Sequence, residues 1–228
     1  ALLAEKCNRH TLIIALGGGI VGDLAGFVAS TFLRGIPFIQ IPTTLLAMVD
    51  SSVGGKVAVN LREGKNLIGS FYQPKAVLID PSVLGTLSER EFACGMAEVL
   101  KYGLIMDKPF FNYLKREYSR IRERTPEVLQ QVIFHSVKNK AKIVIQDEKE
   151  SGIRAILNFG HTFAHSIEKT LDFKIYSHGE AVAVGMHLAC LLSLQKGLLS
   201  PAEWAGIEPV FDLLGLPRYA PQQCLKSS

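Results

Sequence analysis

Three of the chain's six histidines fall within one short stretch, residues 154–180. His161 and His165 are four residues apart, so on a helix they would share a face, with Asn158 one turn earlier on that face. His178 follows a serine, a residue type that often caps the start of a helix. Polar groups on one stripe of an apolar segment need partners, because burying them unpaired costs roughly a few kcal/mol each. A metal or an anionic ligand would supply partners, and so would ordinary hydrogen bonds in a protein core.

Glu98 and Lys101 form a second group, three residues apart on one face of a predicted helix. A simple salt bridge between them is one interpretation. The alternative is that Glu98 joins His161 and His178 around a divalent metal, since one carboxylate and two imidazoles leave coordination positions open, as a catalytic zinc requires. His161 and His165 do not form the H-E-x-x-H pattern, so a metalloprotease is not supported.

A third group combines Lys140 and Glu150 with Arg154 and Asn158. Arg154 and Asn158 are four residues apart, and a guanidinium beside an amide suits a carboxylate ligand through charge-assisted hydrogen bonds. Solvation at the protein surface is the alternative for Lys140 and Glu150.

The elements that would position these groups begin with a glycine turn. Residues 11–16 read as a buried strand of a parallel sheet, followed by Gly17-Gly18-Gly19-Ile20-Val21-Gly22 and a helix over residues 23–31. This arrangement aims backbone N–H groups at a phosphate. The turn satisfies G-x-G-x-x-G, but the acidic residue expected about 20 positions later is missing. The sequence predicts a phosphate-binding turn unlike the ordinary Rossmann version, or a tight turn without a ligand.

Further strands are expected at residues 36–41 and 74–80, with lysine- and glycine-containing loops between them. From about residue 87 the pattern predicts helices only, at 89–103, 109–124, 126–147, 154–171, 178–196 and 201–214. The fold class expected is therefore α/β followed by all-α. A boundary near residue 86 would separate an α/β part, residues 1–86, from an all-helical part, residues 87–228.

Composition narrows the class of protein. Of 228 residues, 48% are apolar and 20% charged, which is ordinary for a globular protein, and the net charge of +4 comes without a basic block. We expect a small anionic substrate, no nucleic acid and no membrane partner.

The four cysteines form no Cys-x-x-Cys pair, so free thiols in a reducing compartment are expected. Without a run of about 20 apolar residues or a signal peptide, the sequence predicts a cytoplasmic protein.

The combination of motifs resembles one family closely, 3-dehydroquinate synthase, in order over roughly residues 12–190. The motifs are Ala15 to Asp23 (ALGGGIVGD), Ile41 to Leu46 (IPTTLL), Val49 to Lys56 (VDSSVGGK), Gly64 to Asn66 (GKN), Ala97 to Gly103 (AEVLKYG), Asn158 to His165 (NFGHTFAH) and His178 to Glu180 (HGE).

This resemblance implies an NAD- and zinc-dependent (or cobalt-dependent) enzyme of the shikimate pathway. It would make residues 1–86 a Rossmann-like, partial NAD-binding domain and residues 87–228 a helical metal- and substrate-binding domain. Its reaction turns 3-deoxy-D-arabino-heptulosonate 7-phosphate into 3-dehydroquinate and phosphate. NAD⁺ transiently oxidises a hydroxyl, phosphate leaves by elimination, the hydride returns, and an intramolecular aldol step closes the ring. The metal would polarise the alcohol that is oxidised.

Carried over position by position, the resemblance implies a role for each matching residue. The zinc ligands would be Glu98, His161 and His178. The NAD contacts would be Gly19, Ile20, Val21, Gly22, Asp23, Thr43, Thr44, Lys56, Lys65, Val83, Leu84, Gly85 and Thr86. The substrate contacts would be Lys56, Asn66, Asn158 and, for the carboxylate, Arg154, with Arg34 reaching across from the partner subunit of a homodimer. The remaining active-site positions would be Asp50, Lys101, Lys140, Glu150 and His165, the last beside the proton removed with help from the phosphate.

Two departures from the family pattern bear on these expectations. An upstream strand and helix that grip the adenosine ribose, and a C-terminal segment with an active-site lysine, are missing from the sequence, and Lys226 is not a convincing substitute. The chain is thus expected to be truncated at both ends, and its activity is in doubt. The sheet of its N-terminal part is expected to have an unpaired edge. The rival interpretations are another sugar-phosphate cyclase such as a 2-deoxy-scyllo-inosose synthase, a metal-dependent polyol dehydrogenase, and a non-catalytic nucleotide-binding remnant.

Overall fold

The structure, a computed structural model, describes residues 2–61, 64–171 and 175–220, apart from the side chain of Lys65. The chain divides into two compact units, residues 1–87 and 88–228. The first combines strands with one α-helix, and the second is helical throughout its described part. The predicted fold class, α/β followed by all-α, is confirmed.

A parallel pair of strands joined by a helix forms the base of the first unit. Strand β1 (Ile13–Gly17) leads through the glycine turn into α1 (Gly19–Thr31), and β2 (Phe38–Pro42) lies parallel to β1, with Ile13 opposite Phe38. A strand, a helix and a second strand parallel to the first form a β-α-β unit, for which a right-handed crossover is expected.

The prediction that the first strand is buried is wrong for this chain. Ala15 is buried, but Ile14 and Leu16 are 57% and 63% exposed. Within the described ranges β1 pairs only with β2, so its outer edge carries no strand. A continuous apolar run is typical of a strand covered on both faces, but it does not reveal whether the covering elements are present.

The third predicted strand, residues 74–80, is not a regular strand. Val77 alone forms a parallel bridge, to Gln40 of β2. Backbone hydrogen bonds from Gln40 to Ala76 (3.0 Å) and from Leu78 to Gln40 (2.9 Å) nevertheless hold the segment beside β2. The position of the segment was predicted correctly, whereas its regularity was not.

The segment read as two lysine-containing loops is instead an antiparallel hairpin, β3 (Lys56–Leu61) and β4 (Gly64–Phe71). Gly69 of β4 lies so close to the backbone of Val57 that any side chain there would collide with the Val57 carbonyl oxygen. The hairpin continues into Tyr72, whose ring stacks on Phe38 with 5.8 Å between ring centroids. Long-range packing therefore decides this structure, and local periodicity does not show it.

Helices account for the second unit, and most predicted helices are confirmed within a few residues. The observed helices are α2 (Glu89–Ile105), α3 (Lys108–Arg116), α4 (Tyr118–Arg122), α5 (Pro126–Gln146), α6 (His161–Thr170), α7 (His178–Gln195) and α8 (Pro201–Leu213). The predicted helix over 109–124 is divided into α3 and α4. The predicted helix over 154–171 is wrong in its first part, because residues Ile153–Asn158 form a 3-10 turn that ends before α6 begins.

Two helices form the centre of this unit. Nearly the whole of α2 from Phe92 to Gly103 is buried, and α7 is buried from Gly179 to His187. The cap predicted for the serine before His178 is confirmed. Ser177 accepts a hydrogen bond from the backbone N–H three residues later, and Ser88 and Ser200 do the same at the starts of α2 and α8. No helix in the described ranges is long and apolar enough to span a membrane.

Three of the four cysteines lie in the described residues, and all three are free thiols, as predicted: Cys7, Cys94 and Cys190. Cys224 and Lys226 lie outside the described residues.

Candidate metal centre

Three potential metal ligands converge in the helical unit from three different helices. Glu98 lies on α2, while His161 and His178 are the first residues of α6 and α7. One ligand atom from each lies within 4.8 Å of the other two. The Nε2 atoms of both histidines are 3.7 Å from Oε1 of Glu98, whose side chain is fully buried. The structure thus brings together the three residues that the sequence grouped around a metal.

Local sequence fixes where the two histidine-bearing helices begin. Gly160 adopts a left-handed conformation, φ +81°, which ends the preceding 3-10 turn so that α6 begins at His161. Helix α7 begins at His178 because Ser177 and Glu180 form a capping box. Each histidine therefore projects from the first turn of a helix with a defined start.

Close backbone packing then brings the three helices together. A side chain at Gly179 would collide with the backbone of Cys94 on α2, and one at Gly185 would collide with the carbonyl of Gly160 at the start of α6. These glycines let α7 approach both neighbours at backbone distance. The positions of the ligands thus depend on rigid helices and not on flexible loops.

The outer ring nitrogen of each histidine faces an oxygen acceptor. Nδ1 of His161 is 3.3 Å from the carbonyl oxygen of Phe159, and Nδ1 of His178 is 3.2 Å from Oε1 of Glu168. With the ring proton on Nδ1, each imidazole donates outward and directs its Nε2 lone pair toward Glu98. This is the arrangement found around metal-ligating histidines, whose second nitrogen is held by a carbonyl or carboxylate. The donor set and its orientation therefore fit a divalent metal such as zinc.

The electrostatics of the two imidazoles differ. Burial lowers the pKa of His161 below its ordinary value of 6.5, although Glu98 acts in the opposite direction. Burial would also lower the pKa of His178, but hydrogen bonds and charge interactions with Glu168 and Glu98 outweigh it and raise that pKa to about 10. In the absence of a metal, a proton on His178 compensates nearby carboxylates; a divalent cation would replace that proton.

Lys101 adds a positive charge to the same centre. Its Nζ forms a buried ion pair with Oε2 of Glu98, and its side chain is only 3% exposed. The salt bridge predicted from their spacing is therefore present, and it coexists with the histidine cluster, so the two interpretations of Glu98 do not exclude one another.

The loop before α6 carries the residues that the sequence assigned to substrate anions. Arg154 is buried, and its guanidinium donates to the carbonyl oxygen of Glu148. Asn158 donates to Oε1 of Glu150 at 2.7 Å, and Glu150 has a left-handed backbone, φ +58°. Arg154 and Asn158 are in the 3-10 turn, so they do not share an α-helical face with each other or with His161.

Asp147, at the end of α5, organises this loop. Its carboxylate accepts hydrogen bonds from the backbone N–H groups of Ser151 (2.9 Å), Gly152 (2.7 Å) and Arg154 (3.0 Å). These hydrogen bonds lower the pKa of Asp147 from 3.8 to about 2, and the bond from the Arg154 N–H has the largest effect on that pKa. The sequence analysis did not identify Asp147; an aspartate at a helix end, just before Ser151-Gly152, is the local signal that could have done so.

His165 and Lys140 have different relations to the cluster. The ring of His165 lies edge-on to that of His161, with centroids 5.7 Å apart, one turn further along α6. Lys140 is buried on α5, which packs against the 3-10 turn that carries Arg154. His165 therefore lies next to the cluster of candidate ligands, and Lys140 lies on the helix that packs against the turn carrying Arg154.

In the first unit, the glycine turn is placed beside the predicted threonines. The amide of Thr43 donates to the carbonyl of Gly17 at 2.9 Å, and a side chain at Gly18 would come within 3.2 Å of Thr44. A side chain at Gly22 would lie 2.8 Å from the side-chain amide oxygen of Gln40 on β2, so the Gln40 side chain would have to shift to accept it. No side chain caps the start of α1.

The remaining predicted residues of this unit lie on several elements. Asp50 is in a single π-helical turn, Ala47–Ser51, and Lys56 is exposed at the start of β3. Asn66 and Arg34 have left-handed backbones, φ +57° and φ +68°. Val83, Leu84, Gly85 and Thr86 form part of the 3-10 turn Pro81–Thr86, and the side chain of Lys65 lies outside the described part.

Two family sequence profiles match the chain, "3-dehydroquinate synthase N-terminal" over residues 1–94 and "3-dehydroquinate synthase C-terminal" over residues 95–227. The chain belongs to the 3-dehydroquinate synthase family. The 3-dehydroquinate synthase of Desulforamulus reducens is 55% identical over 94% of the chain, and that of Pelobacter propionicus is 52% identical over 97%. The chain spans 60% and 62% of the lengths of these two relatives.

A solved structure shares the architecture. The chain is similar to 2-epi-5-epi-valiolone synthase from Streptomyces hygroscopicus subsp. jinggangensis, solved with NAD⁺ and Zn²⁺ bound (TM-score 0.90, 33% identity, 98% of this chain and 64% of that one). The chain therefore shares its fold with a synthase whose structure contains bound NAD⁺ and Zn²⁺.

Proposed function

We propose that this protein is a 3-dehydroquinate synthase, which converts 3-deoxy-D-arabino-heptulosonate 7-phosphate to 3-dehydroquinate and phosphate. The observation that supports this proposal is the cluster of Glu98, His161 and His178 in a chain of this family. Nδ1 of each imidazole faces an oxygen acceptor on the side away from Glu98, which leaves Nε2 for a metal. The reaction begins with oxidation of a hydroxyl, eliminates phosphate, returns the hydride and closes a carbocycle by an aldol step.

A bound divalent metal, zinc or cobalt, would polarise the hydroxyl to be oxidised, and bound NAD⁺ would accept the hydride and give it back. Glu98, His161 and His178 would hold the metal. Lys101, paired with Glu98, keeps a positive charge beside the ligands and offsets the charge of the carboxylate.

The NAD site is proposed on the first unit. The backbone N–H groups after the glycine turn, from Gly19 to Asp23, begin a helix of 13 residues with no side-chain cap, and a helix start attracts phosphate. Further contacts are proposed from Thr43 and Thr44, which lie beside the turn. The other proposed NAD contacts are Lys56, Lys65, Val83, Leu84, Gly85 and Thr86.

The substrate's two anionic groups would be recognised by different residues. Arg154 presents a planar guanidinium, oriented by its bond to the Glu148 carbonyl, which suits the substrate carboxylate. Asn158 and His165 would contact the phosphate, and His165 would also lie near the proton that is removed. Asp50, Lys140 and Glu150 would contact the hydroxyls.

The rival activities are less well supported. The identity of 55% to a 3-dehydroquinate synthase exceeds the 33% to 2-epi-5-epi-valiolone synthase. Arg154 also favours a substrate that carries a carboxylate over one that does not.

Phosphate release from the heptulosonate phosphate tests the proposal directly. We expect release that requires NAD⁺, stops with a chelator and leaves no net NADH. Steady accumulation of NADH would instead indicate a polyol dehydrogenase. Turnover of a substrate without a carboxylate would indicate another cyclase, and NAD⁺ binding without any turnover would indicate a non-catalytic protein.

A homodimer is proposed because Arg34 is expected to act from the partner subunit. Arg34→Ala and His161→Ala variants, each inactive alone, should regain activity on mixing, since a mixed dimer holds one intact site. If mixing under conditions of subunit exchange restores nothing, Arg34 does not act across subunits.

A further inference from the structure

A buried carboxylate lies behind the proposed metal centre, on the side of His178 that faces away from Glu98. Glu168 is on α6, seven residues after His161, and it is only 5% exposed. Its Oε1 is 3.2 Å from Nδ1 of His178, while Nε2 of the same ring is 3.7 Å from Oε1 of Glu98. The imidazole of His178 therefore spans two carboxylates on different helices.

We propose that Glu168 is a positioning residue of the metal centre, which accepts the Nδ1–H of His178 and so holds Nε2 toward the metal. This inference rests on the proposed function, because it assumes that Glu98, His161 and His178 bind a metal. Glu168 would touch neither the metal nor the substrate, and it would act through His178.

The need for such a residue follows from the exposure of the ring. The side chain of His178 is 35% exposed, against 14% for His161, so packing restrains it less. His161 is oriented by the carbonyl of Phe159, two residues before it, which is part of the same backbone. His178 relies on a side chain from another helix. A carboxylate in that place fixes the tautomer and raises the basicity of the coordinating nitrogen.

The position of Glu168 also connects the two histidine-bearing helices. Because α6 carries His161 at its first residue and Glu168 about two turns later, one rigid helix orients both imidazoles. Sequence contains a signal for this residue, since positions 161, 165 and 168 follow the spacing of one helix face.

A purely structural role is the alternative, in which Glu168 and His178 form an ion pair that only fastens α6 to α7. The two roles differ in what they affect. A fastening pair would change the stability of the metal-free protein and leave the affinity of the folded protein for metal unchanged. A positioning residue would change that affinity and the ligand field of the metal.

The experiment measures zinc affinity by competition with a chromophoric chelator, together with the visible spectrum of the Co²⁺-loaded protein. For Glu168→Gln we expect zinc affinity to fall about 10–100-fold, the range typical of lost outer partners of metal ligands, with altered Co²⁺ bands. Glu168→Asp keeps the negative charge on a shorter side chain, so its zinc affinity should fall less than that of Glu168→Gln. Thermal unfolding of the metal-free proteins would establish that each variant is folded.

The matched control is Glu208→Gln, which removes a carboxylate from α8 that faces His187, the other histidine of α7, with 3.8 Å between Nε2 of His187 and Oε1 of Glu208. Zinc affinity of this control should stay near that of the wild type. In a His178→Ala background, Glu168→Gln should have no further effect, because its action would pass through the missing ring.

The outcomes separate this inference from the proposed function. If the wild type binds no zinc, or binds it equally after His161→Ala, the metal centre itself is refuted. If zinc binding depends on His161 but Glu168→Gln and Glu168→Asp both retain wild-type affinity and Co²⁺ spectra, the positioning role alone is refuted. Equal losses of zinc affinity in Glu208→Gln and Glu168→Gln would likewise overturn it in favour of general loosening of α7.

Discussion

Replacing Gly160 with alanine should destabilise the protein and weaken metal binding together. Gly160 has φ +81°, a conformation that costs an L-residue about 1–2 kcal/mol. The added methyl group would also lie 2.7 Å from the backbone nitrogen of Met186 on α7, so the start of α6 must shift. Overpacking of this kind costs about 1–3 kcal/mol. The expected total is about 2–5 kcal/mol, and the shift would move His161, the next residue.

Gly197 supplies a matched control, because it has φ +71° but no atom within 4 Å of the place a methyl group would occupy. Gly197→Ala should therefore cost only the conformational strain, about 1–2 kcal/mol. Since 1 kcal/mol corresponds to about 2–4 °C in Tm for a chain of this size, Gly160→Ala should melt roughly 2–12 °C below Gly197→Ala.

Calorimetry on the metal-free proteins and zinc titration measure the two effects. Gly160→Ala should lose zinc affinity, whereas Gly197→Ala should keep it. If both variants melt at the same temperature and bind zinc equally, then close packing at Gly160 does not position His161, and our account of how α6 and α7 hold the site is refuted.

Three further outcomes are expected. His161→Ala should lose most of its bound zinc by elemental analysis, and unchanged metal content would remove His161 from the ligand set. Arg154→Ala should raise the KM for the heptulosonate phosphate by about tenfold to a hundredfold, corresponding to about 1.5–3 kcal/mol for a hydrogen bond to a charged group; an unaltered KM would refute the carboxylate assignment. Asp147 has a pKa lowered from 3.8 to about 2, so its stabilising effect is present above pH 3.8 and is lost as the pH falls through 2. The stability difference between the wild type and Asp147→Asn, measured by denaturant unfolding, should therefore shrink across that window, and a constant difference would contradict the role of the carboxylate in the loop.

The sequence indicated which residues could form the metal cluster, but it did not indicate how they are arranged in space. From residue types and helix starts, a metal cluster of Glu98, His161 and His178 was one of two interpretations, beside a salt bridge of Glu98 with Lys101, and the family resemblance selected the cluster. Periodicity alone put His165 in the same group as His161, and the family resemblance separated them. In the structure Nε2 of His161 is 3.7 Å from Oε1 of Glu98, while His165 lies one turn further on.

The errors in the fold have a common physical cause. The helix predicted over residues 154–171 fails at Gly160, whose left-handed backbone depends on its contact with α7. The hairpin of β3 and β4 was missed because Gly69, unfavourable in an isolated strand, is required by the neighbouring backbone of Val57. In both cases a distant segment determines the local conformation, and a window of sequence does not contain that information.

The placement of the three candidate ligands on three separate helices links metal supply to folding. Glu98 and His178 are separated by about 80 residues of sequence, so an unfolded chain does not present them together. A metal that binds only the folded chain adds about 2.7 kcal/mol to its stability when its free concentration is 100 times the Kd. Such an increment is a large part of the stability of a typical protein. Zinc scarcity would consequently lower the amount of folded protein as well as the activity of each molecule.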